Sequence, residues 1–205
     1  MTRTPKYQMS FSTGGLFLAE SARIAELFLR LEDWSLVKKQ VQASNLLQAR
    51  TQSSLHRVCR EAISRLKMLR EEELRFLVEA NRQEQGYLLW IAVCRLYDFL
   101  GDFAIEVLRE NYLTLKRDLT YEDFDSFFNR KSDLHPELDE VRPTTRKKLR
   151  QVLFKILREA DLLSSDNRLI TPIFSQGMKD LISNGNPRDI LFFPVYESAL
   201  KGMVQ

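Results

Sequence analysis

Apolar residues along this chain recur mostly at three- and four-residue intervals, and residues that would break such a pattern are rare. Between Leu16 and Leu134 there is no proline, and the glycines are Gly86 and Gly101, which predicts consecutive helices and no strands there. A first helix is expected to open after Thr13, Gly14 and Gly15 and to run to about Leu31. Leu16, Ala19, Ala22, Leu27 and Leu31 mark its apolar side. Asp33 reads as the cap of a shorter second helix. Ser53 or Ser54 is placed to N-cap a third, whose Leu55, Val58, Cys59, Ala62, Leu66 and Leu69 keep helical spacing. Glu71, Glu72 and Glu73 suit the positive end of a fourth, with turns near Arg70 and Asn81. From Tyr87 to Leu100 apolar residues occupy nearly every side of the helical wheel, the pattern of a central helix surrounded by others. Gly101 and Asp102 then predict a break, after which Phe103 to Tyr112 carries the bundle on to about Lys116.

Punctuation becomes denser beyond that point. Thr120 and Asp123 stand in capping-box spacing ahead of Phe124, Phe127 and Phe128, so a helix of about three turns should begin there. Pro136 suits the first turn of a short helix ending near Val141, and Pro143 with Thr144 or Thr145 restarts a long one. Leu149, Val152, Leu153, Ile156, Leu157 and Ala160 form the inner side of that long helix. Ser164 to Asn167 reads as a turn, and Leu169 to Phe174 as a short strand closing at Thr171-Pro172. The expected architecture is all-α: a multi-helix bundle over 1–118, with a lobe at 119–205 packed on it. That lobe has the order of a helix-turn-helix with a winged β element.

Charge singles out one segment. Net charge is only +3, which permits a polyanionic partner without defining one. From Arg142 to Arg158, however, there are seven basic residues and no acid: Arg142, Arg146, Lys147, Lys148, Arg150, Lys155 and Arg158. At 100 degrees per residue, Lys147, Arg150, Lys155 and Arg158 fall opposite Leu149, Leu153 and Ile156. Such a stripe would neutralise backbone phosphates and release counterions, whatever the base sequence. Thr144, Thr145, Arg146 and Lys147, at the helix N-terminus, are placed to hold phosphate or reach base edges, and Arg168 in the wing to touch an adjacent phosphate. Against this, charge runs on helices are usually solvated faces, and residues 119–141 hold seven acids that could pair with the stripe. A second basic face, Arg57, Arg60 and Lys67 with Arg50, Arg65 and Arg70 beside His56, is opposed by Glu61 alone. It reads equally well as a solvated face.

Other chemistry finds little support. The longest apolar run is the eight residues Tyr87 to Cys94, against the roughly 20 that span a bilayer. Met1 to Ser12, with Arg3 and Lys6, lacks a secretory h-region, so a cytoplasmic location and no membrane partner are expected. Cys59 and Cys94 sit in apolar segments as small hydrophobes. His56 and His135 lie far apart without metal-ligand spacing, so neither a metal nor another cofactor is expected. Gly14-Gly15 lacks the lysine and serine of a phosphate loop and reads as a tight turn. Tyr121, Glu122, Asp123 and Asp125 fit capping better than a metal cage. No enzymatic constellation emerges.

Five strings distributed along the chain, FSTGGLFLAES from Phe11, NLLQARTQSSLHRVCREAISRLKML from Asn45, RQEQGYLLWIAVC from Arg82, LTYEDFDSFFNRK from Leu119 and TTRKKLRQVLFKILREADLL from Thr144, resemble the BrxA family. The resemblance implies a small component of a bacteriophage exclusion (BREX) system, encoded beside a methyltransferase, an alkaline-phosphatase-like protein and a large ATPase. It also implies a helical, NusB-like architecture and binding of double-stranded DNA without catalysis. Two further readings stay open: a protein-interaction scaffold among those components, and RNA binding through a NusB-like face.

Overall fold

Helix α5 (Arg82–Leu96) is the axis on which the chain packs. In the computed structural model, which describes residues 7–9, 11–12 and 14–199, every side chain from Tyr87 to Cys94 is buried. Apolarity on all sides of the wheel is satisfied by neighbours on all sides: α1 (Leu18–Leu31), α3 (Gln52–Leu66), α4 (Glu71–Glu79) and α6 (Asp98–Phe103), with α9 (Pro143–Glu159) closing the far side. Between α1 and α3 runs α2 (Trp34–Ala43), and Asp33 caps it by accepting from the Ser35 and Leu36 amides. Arg3, Lys6 and Thr13 lie outside the described residues, and with them the readings of the first segment as no leader and of Thr13 as the opening of α1.

Several local expectations shift. The buried side of α1 is Ser21, Ile24, Ala25 and Leu27; Ala19 is exposed, and Leu16 is buried ahead of the helix. The cap of α3 is Thr51, which accepts from the Ser54 amide, so Ser53 and Ser54 are already helical. The break after α5 falls at Tyr97, whose backbone is extended, while Gly101 stays inside α6. There Gly101 packs its Cα against the Cys94 carbonyl, where a Cβ would stand 3.0 Å away. A π-helical stretch (Ala104–Arg109) follows and leads into α7 (Glu110–Leu113), a widening of the helix that apolar periodicity does not announce.

The capping box at Thr120 and Asp123 forms as expected and starts α8 (Tyr121–Ser132). Its Phe124, Phe127 and Phe128 surround Phe99 of α6, with ring centroids 5.0–5.8 Å away, which fastens α8 to the bundle through edge and tilted aromatic contacts. Pro136 opens only a single 3-10 turn, Pro136–Leu138. Beyond α9, the expected strand at Leu169–Phe174 is absent. Among the described residues pairing is limited to two isolated antiparallel bridges, Leu163 with Leu169 and Asp118 with Arg168. Pro172 has no amide to donate, and Phe174 turns inward against Tyr87 and Phe193, so a ladder cannot extend past Ile170. Helix α10 (Gln176–Asn184) and a 3-10 segment (Pro187–Phe192) follow, and there the Phe192 carbonyl accepts from Trp90 Nε1 at 2.8 Å.

Two joints hold α9 against the bundle. Gly86 lets α5 approach the end of α9 so closely that a Cβ would lie 3.3 Å from the Ala160 Cα and the Glu159 carbonyl. At Gly15–Phe17, the Leu16 amide donates to Glu159 at 2.5 Å, and the fully buried Arg65 donates to the Gly15 carbonyl at 2.5 Å. A side chain at Gly15 would collide with the Glu159 carboxylate. Buried residues from both sides of position 118 belong to one core.

Candidate nucleic-acid interface

Helix α9 has 17 residues with Pro143 in its first turn, and Arg142 occupies the cap position without a side-chain bond. Thr144 and Thr145 are therefore exposed first-turn residues, not caps. Leu149, Val152, Leu153, Phe154, Ile156 and Leu157 are buried, and this inward set fixes what faces out. Of the exposed positions, Thr144, Lys147, Lys148, Gln151 and Lys155 recur at intervals of three, one, three and four. They form one arc of the wheel, extending about 16 Å along the axis.

This arc is rotated from the stripe expected from spacing alone. Arg150 lies on its flank and Arg158 in line with its far end, each only partly exposed. Arg158 donates to Asn167 Oδ1 at 2.5 Å and lies over Phe154. Arg150 donates to one oxygen of the Asp125 carboxylate and stacks over Tyr121, its guanidinium carbon 4.5 Å from the ring centroid. Arg146 takes the other oxygen at 2.9 Å, bonds the Asp125 carbonyl at 2.9 Å and Asn129 Oδ1 at 2.8 Å, and lies 4.4 Å over Phe128. The acidic segment ahead of α9 does consume part of the stripe, and a single residue, Asp125, does it.

The residues that remain are clear. Arg142, Lys147 and Lys148 are exposed and form no ion pair among the described residues, whereas Lys155 stands 3.6 Å from Glu159. A cleft of about 630 Å³ separates α8 from α9, lined by Asp125, Phe128, Asp133, Asp139, Arg146, Lys147 and Arg150 among others. At the tip of the turn after α9, Asn167 takes left-handed backbone (φ 64°) and its carbonyl accepts from the Leu119 amide. Arg168 is 70% exposed there, its guanidinium paired among the described residues with Asp118 at 3.8 Å and Asp166 at 3.3 Å. Gln151, at the centre of the outward arc, is missed by a search for charge. Counting positions outward from Thr144 at helical spacing would have found it.

On the second basic face, Arg57, Arg60 and Lys67 are exposed, as is His56. Arg65 does not belong to it: it is buried against Glu61, Gly15 and the Phe17 ring. Arg70 is drawn off to Glu72 and Glu73. Neither cysteine is poised for chemistry. Burial pushes the Cys94 thiol well up, with Asp189 adding to it, and burial raises Cys59 against the opposing pull of Lys38. Among the described residues no cluster of three or more histidines, cysteines or carboxylates could hold a metal, and no helix is long and apolar enough to cross a membrane.

An all-helical protein with a cationic outward face on its longest helix is the class that these features define. The model of the BrxA family matches residues 5–186, so the chain belongs to that family, whose members serve BREX phage-defence systems. The "BREX protein BrxA" of Escherichia coli O9:H4 (strain HS) is 28% identical over 155 residues, covering 76% of this chain and 73% of that protein. Its namesake from Bacillus cereus (strain H3081.97) is 22% identical over 165 residues, 80% of this chain and 82% of the relative. A crystal structure of an uncharacterized protein from Magnetospirillum magneticum shares the fold. Its TM-score is 0.75 at 22% identity, over 93% of this chain and 98% of the other.

Proposed function

We propose that this chain is a non-enzymatic, cytoplasmic DNA-binding component of a BREX system, acting beside the methyltransferase, phosphatase-like and ATPase proteins of the defence complex. The observation that carries the reading is the outward arc of α9, three lysines with Thr144 and Gln151 and no acid among them, flanked by Arg142. The element order supports a winged helix-turn-helix: bridge residue Asp118, α8, a turn, α9, then bridge residues Leu163 and Leu169 around a tight polar turn. In that arrangement α9 lies along the duplex, Lys147, Lys148 and Lys155 meet phosphates, Gln151 faces base edges, and Arg168 reaches a flanking phosphate.

A salt-titrated anisotropy assay with a 20-bp duplex tests this. Each phosphate neutralised contributes about 0.9 to the salt slope, so Lys147/Lys148/Lys155→Ala should flatten it by about two to three. An unchanged slope and affinity would remove α9 from the interface. A second reading, a scaffold contacting other BREX proteins, is favoured by Leu115 and Tyr196, apolar side chains left 74% and 52% exposed around a small depression with Tyr112. Stable co-purification of a partner, with no duplex affinity at low salt, would favour that reading. Preference for single-stranded RNA in competition would favour an RNA module.

A further inference from the structure

We propose that Arg146 and Arg150 form a preorganised phosphate-binding fork that Asp125 keeps closed, and that a backbone phosphate of the bound duplex displaces the Asp125 carboxylate. This rests on the DNA reading of α9 and adds to it a residue that limits affinity.

The geometry is that of an anion site already holding an internal anion. One carboxylate accepts from two guanidinium groups, each lying on an aromatic face, Arg146 on Phe128 and Arg150 on Tyr121. Stacking holds the two forks in place whether or not the carboxylate stays, because cation–π and packing contacts act on the guanidinium itself. The carboxylate does not saturate them: Arg150 Nε is a buried donor with no acceptor. A phosphodiester carries the same single charge as Asp125 but spreads its oxygens in two directions, which suits bidentate contact with two arginines.

Exchange is physically open. The Asp125 side chain is 36% exposed, and Arg146 and Arg150 are 26% and 21% exposed, so all three border the 630 Å³ cleft and solvent. A displaced carboxylate can rehydrate at the protein surface, and ion pairs exposed to this degree are individually weak. The fork sits beside Lys147, which lines the same cleft. A strand whose phosphates follow the outward arc therefore passes the mouth of the fork.

Duplex affinity and salt slope are to be measured for wild type, Asp125→Asn, Asp139→Asn and Asp125→Asn/Arg146→Gln/Arg150→Gln. Asp139 lines the same cleft but pairs with neither arginine, so its substitution reports the general effect of one lost negative charge. Asp125→Asn should bind about ten-fold tighter with a nearly unchanged slope, because the two arginines reach phosphate in both proteins and the variant no longer has to expel a carboxylate. Asp139→Asn should show a small gain with an unchanged slope, and the triple variant should lose the Asp125→Asn gain. Equal effects at Asp125 and Asp139 would overturn the fork while leaving the α9 reading intact, provided Lys147/Lys148/Lys155→Ala still weakens binding. Absence of duplex affinity in both wild type and Asp125→Asn would overturn both. Nitrogen-detected NMR of the arginine Nε–H groups in wild type needs no substitution. Duplex should shift the Arg146 and Arg150 signals, and unmoved signals under saturating duplex would refute the exchange.

Discussion

Replacing Arg95 by Met should destabilise the chain by about 4 kcal/mol, in a way that fades as the solution is acidified. Arg95 is 14% exposed and gathers three elements: two hydrogen bonds to Glu73 of α4 at 2.8 and 2.7 Å, two to Asp189 at 2.5 and 3.4 Å, and one to the Met68 carbonyl at 2.8 Å. Burial works to lower its pKa, but Glu73 and Asp189 together hold the guanidinium above its ordinary value. Methionine fills much the same volume yet leaves Asp189, 1% exposed, without its cation, and Glu73, 3% exposed, with Arg70 at 3.2 Å as its remaining ion-pair partner. Breaking a buried pair in this way costs about 3–5 kcal/mol, which for a chain of this size lowers Tm by roughly 8–16 °C. The sign of the pH dependence follows from the acids. Burial and the neighbouring Glu73 charge already raise Asp189 above the usual carboxylate range despite Arg95, whereas Arg95 and the Arg70 amide overcome burial to hold Glu73 below it. Without Arg95 both carboxyls rise, so protonation on acidification should return part of the loss. Calorimetry of wild type and Arg95→Met at pH 7.5 and 5 reads this directly. Adding Glu73→Gln and Asp189→Asn should restore most of the stability at pH 7.5. A loss below about 1 kcal/mol, or one that grows on acidification, would refute the description of this cluster as a compensated buried charge.

Two smaller effects follow from the same kind of reasoning. Burial would raise Asp123, but Lys116 and the Thr120 cap hold it below its ordinary value; its stabilisation is therefore complete above about pH 4 and lost as pH falls through the lowered value. Asp123→Asn should flatten the acid limb of a pH–stability curve and cost about 1 kcal/mol at pH 7, from the lost capping box; an unaltered limb would place the acid sensitivity elsewhere. The buried Cys59 and Cys94 thiols, both shifted upward, should react with a disulfide reagent at pH 8 only at the rate of unfolding. Fast labelling of folded protein would contradict their burial.

The parts legible in the sequence are those whose partners lie nearby. Thr120 and Asp123 satisfy each other three residues apart, and Asp33 meets amides two and three residues ahead. Spacing is enough to find them. The side-filling apolarity of α5 is also local, since any fold must surround it. By contrast, the break at Tyr97 depends on its hydroxyl reaching Glu61, and the helical state of Gly101 on the Cys94 carbonyl pressed against it. The strand expected after Leu169 failed because Phe174 finds a better place in the core against Tyr87 than on a sheet edge. The contacts at Tyr97 and Phe174 reach dozens of residues away and the one at Gly101 depends on how the chain turns after α5, none of which periodicity encodes.

The basic segment shows the same limit with a measurable consequence. Arg146, Lys147, Lys148 and Arg150 carry equal charge in the sequence, but the fold sorts them by side-chain chemistry. Both arginines turn to Asp125 and an aromatic ring, where a planar guanidinium can bond and stack at once, while both lysines stay in water, where a compact ammonium is best hydrated. The seven cations of the segment together with Arg168 acting on phosphate would give a salt slope near seven, at about 0.9 each. Arg142, Lys147, Lys148, the weakly held Lys155 and Arg168 give about four to five. A wild-type slope near seven would mean that the Asp125 clasp opens fully on binding and that Arg158 leaves Asn167 as well. A slope near four would mean that the clasp survives in the complex and the outward arc acts with Arg168 alone. The measured value thus separates a rigid interface from one that rearranges its own acid, and it does so before any residue is changed.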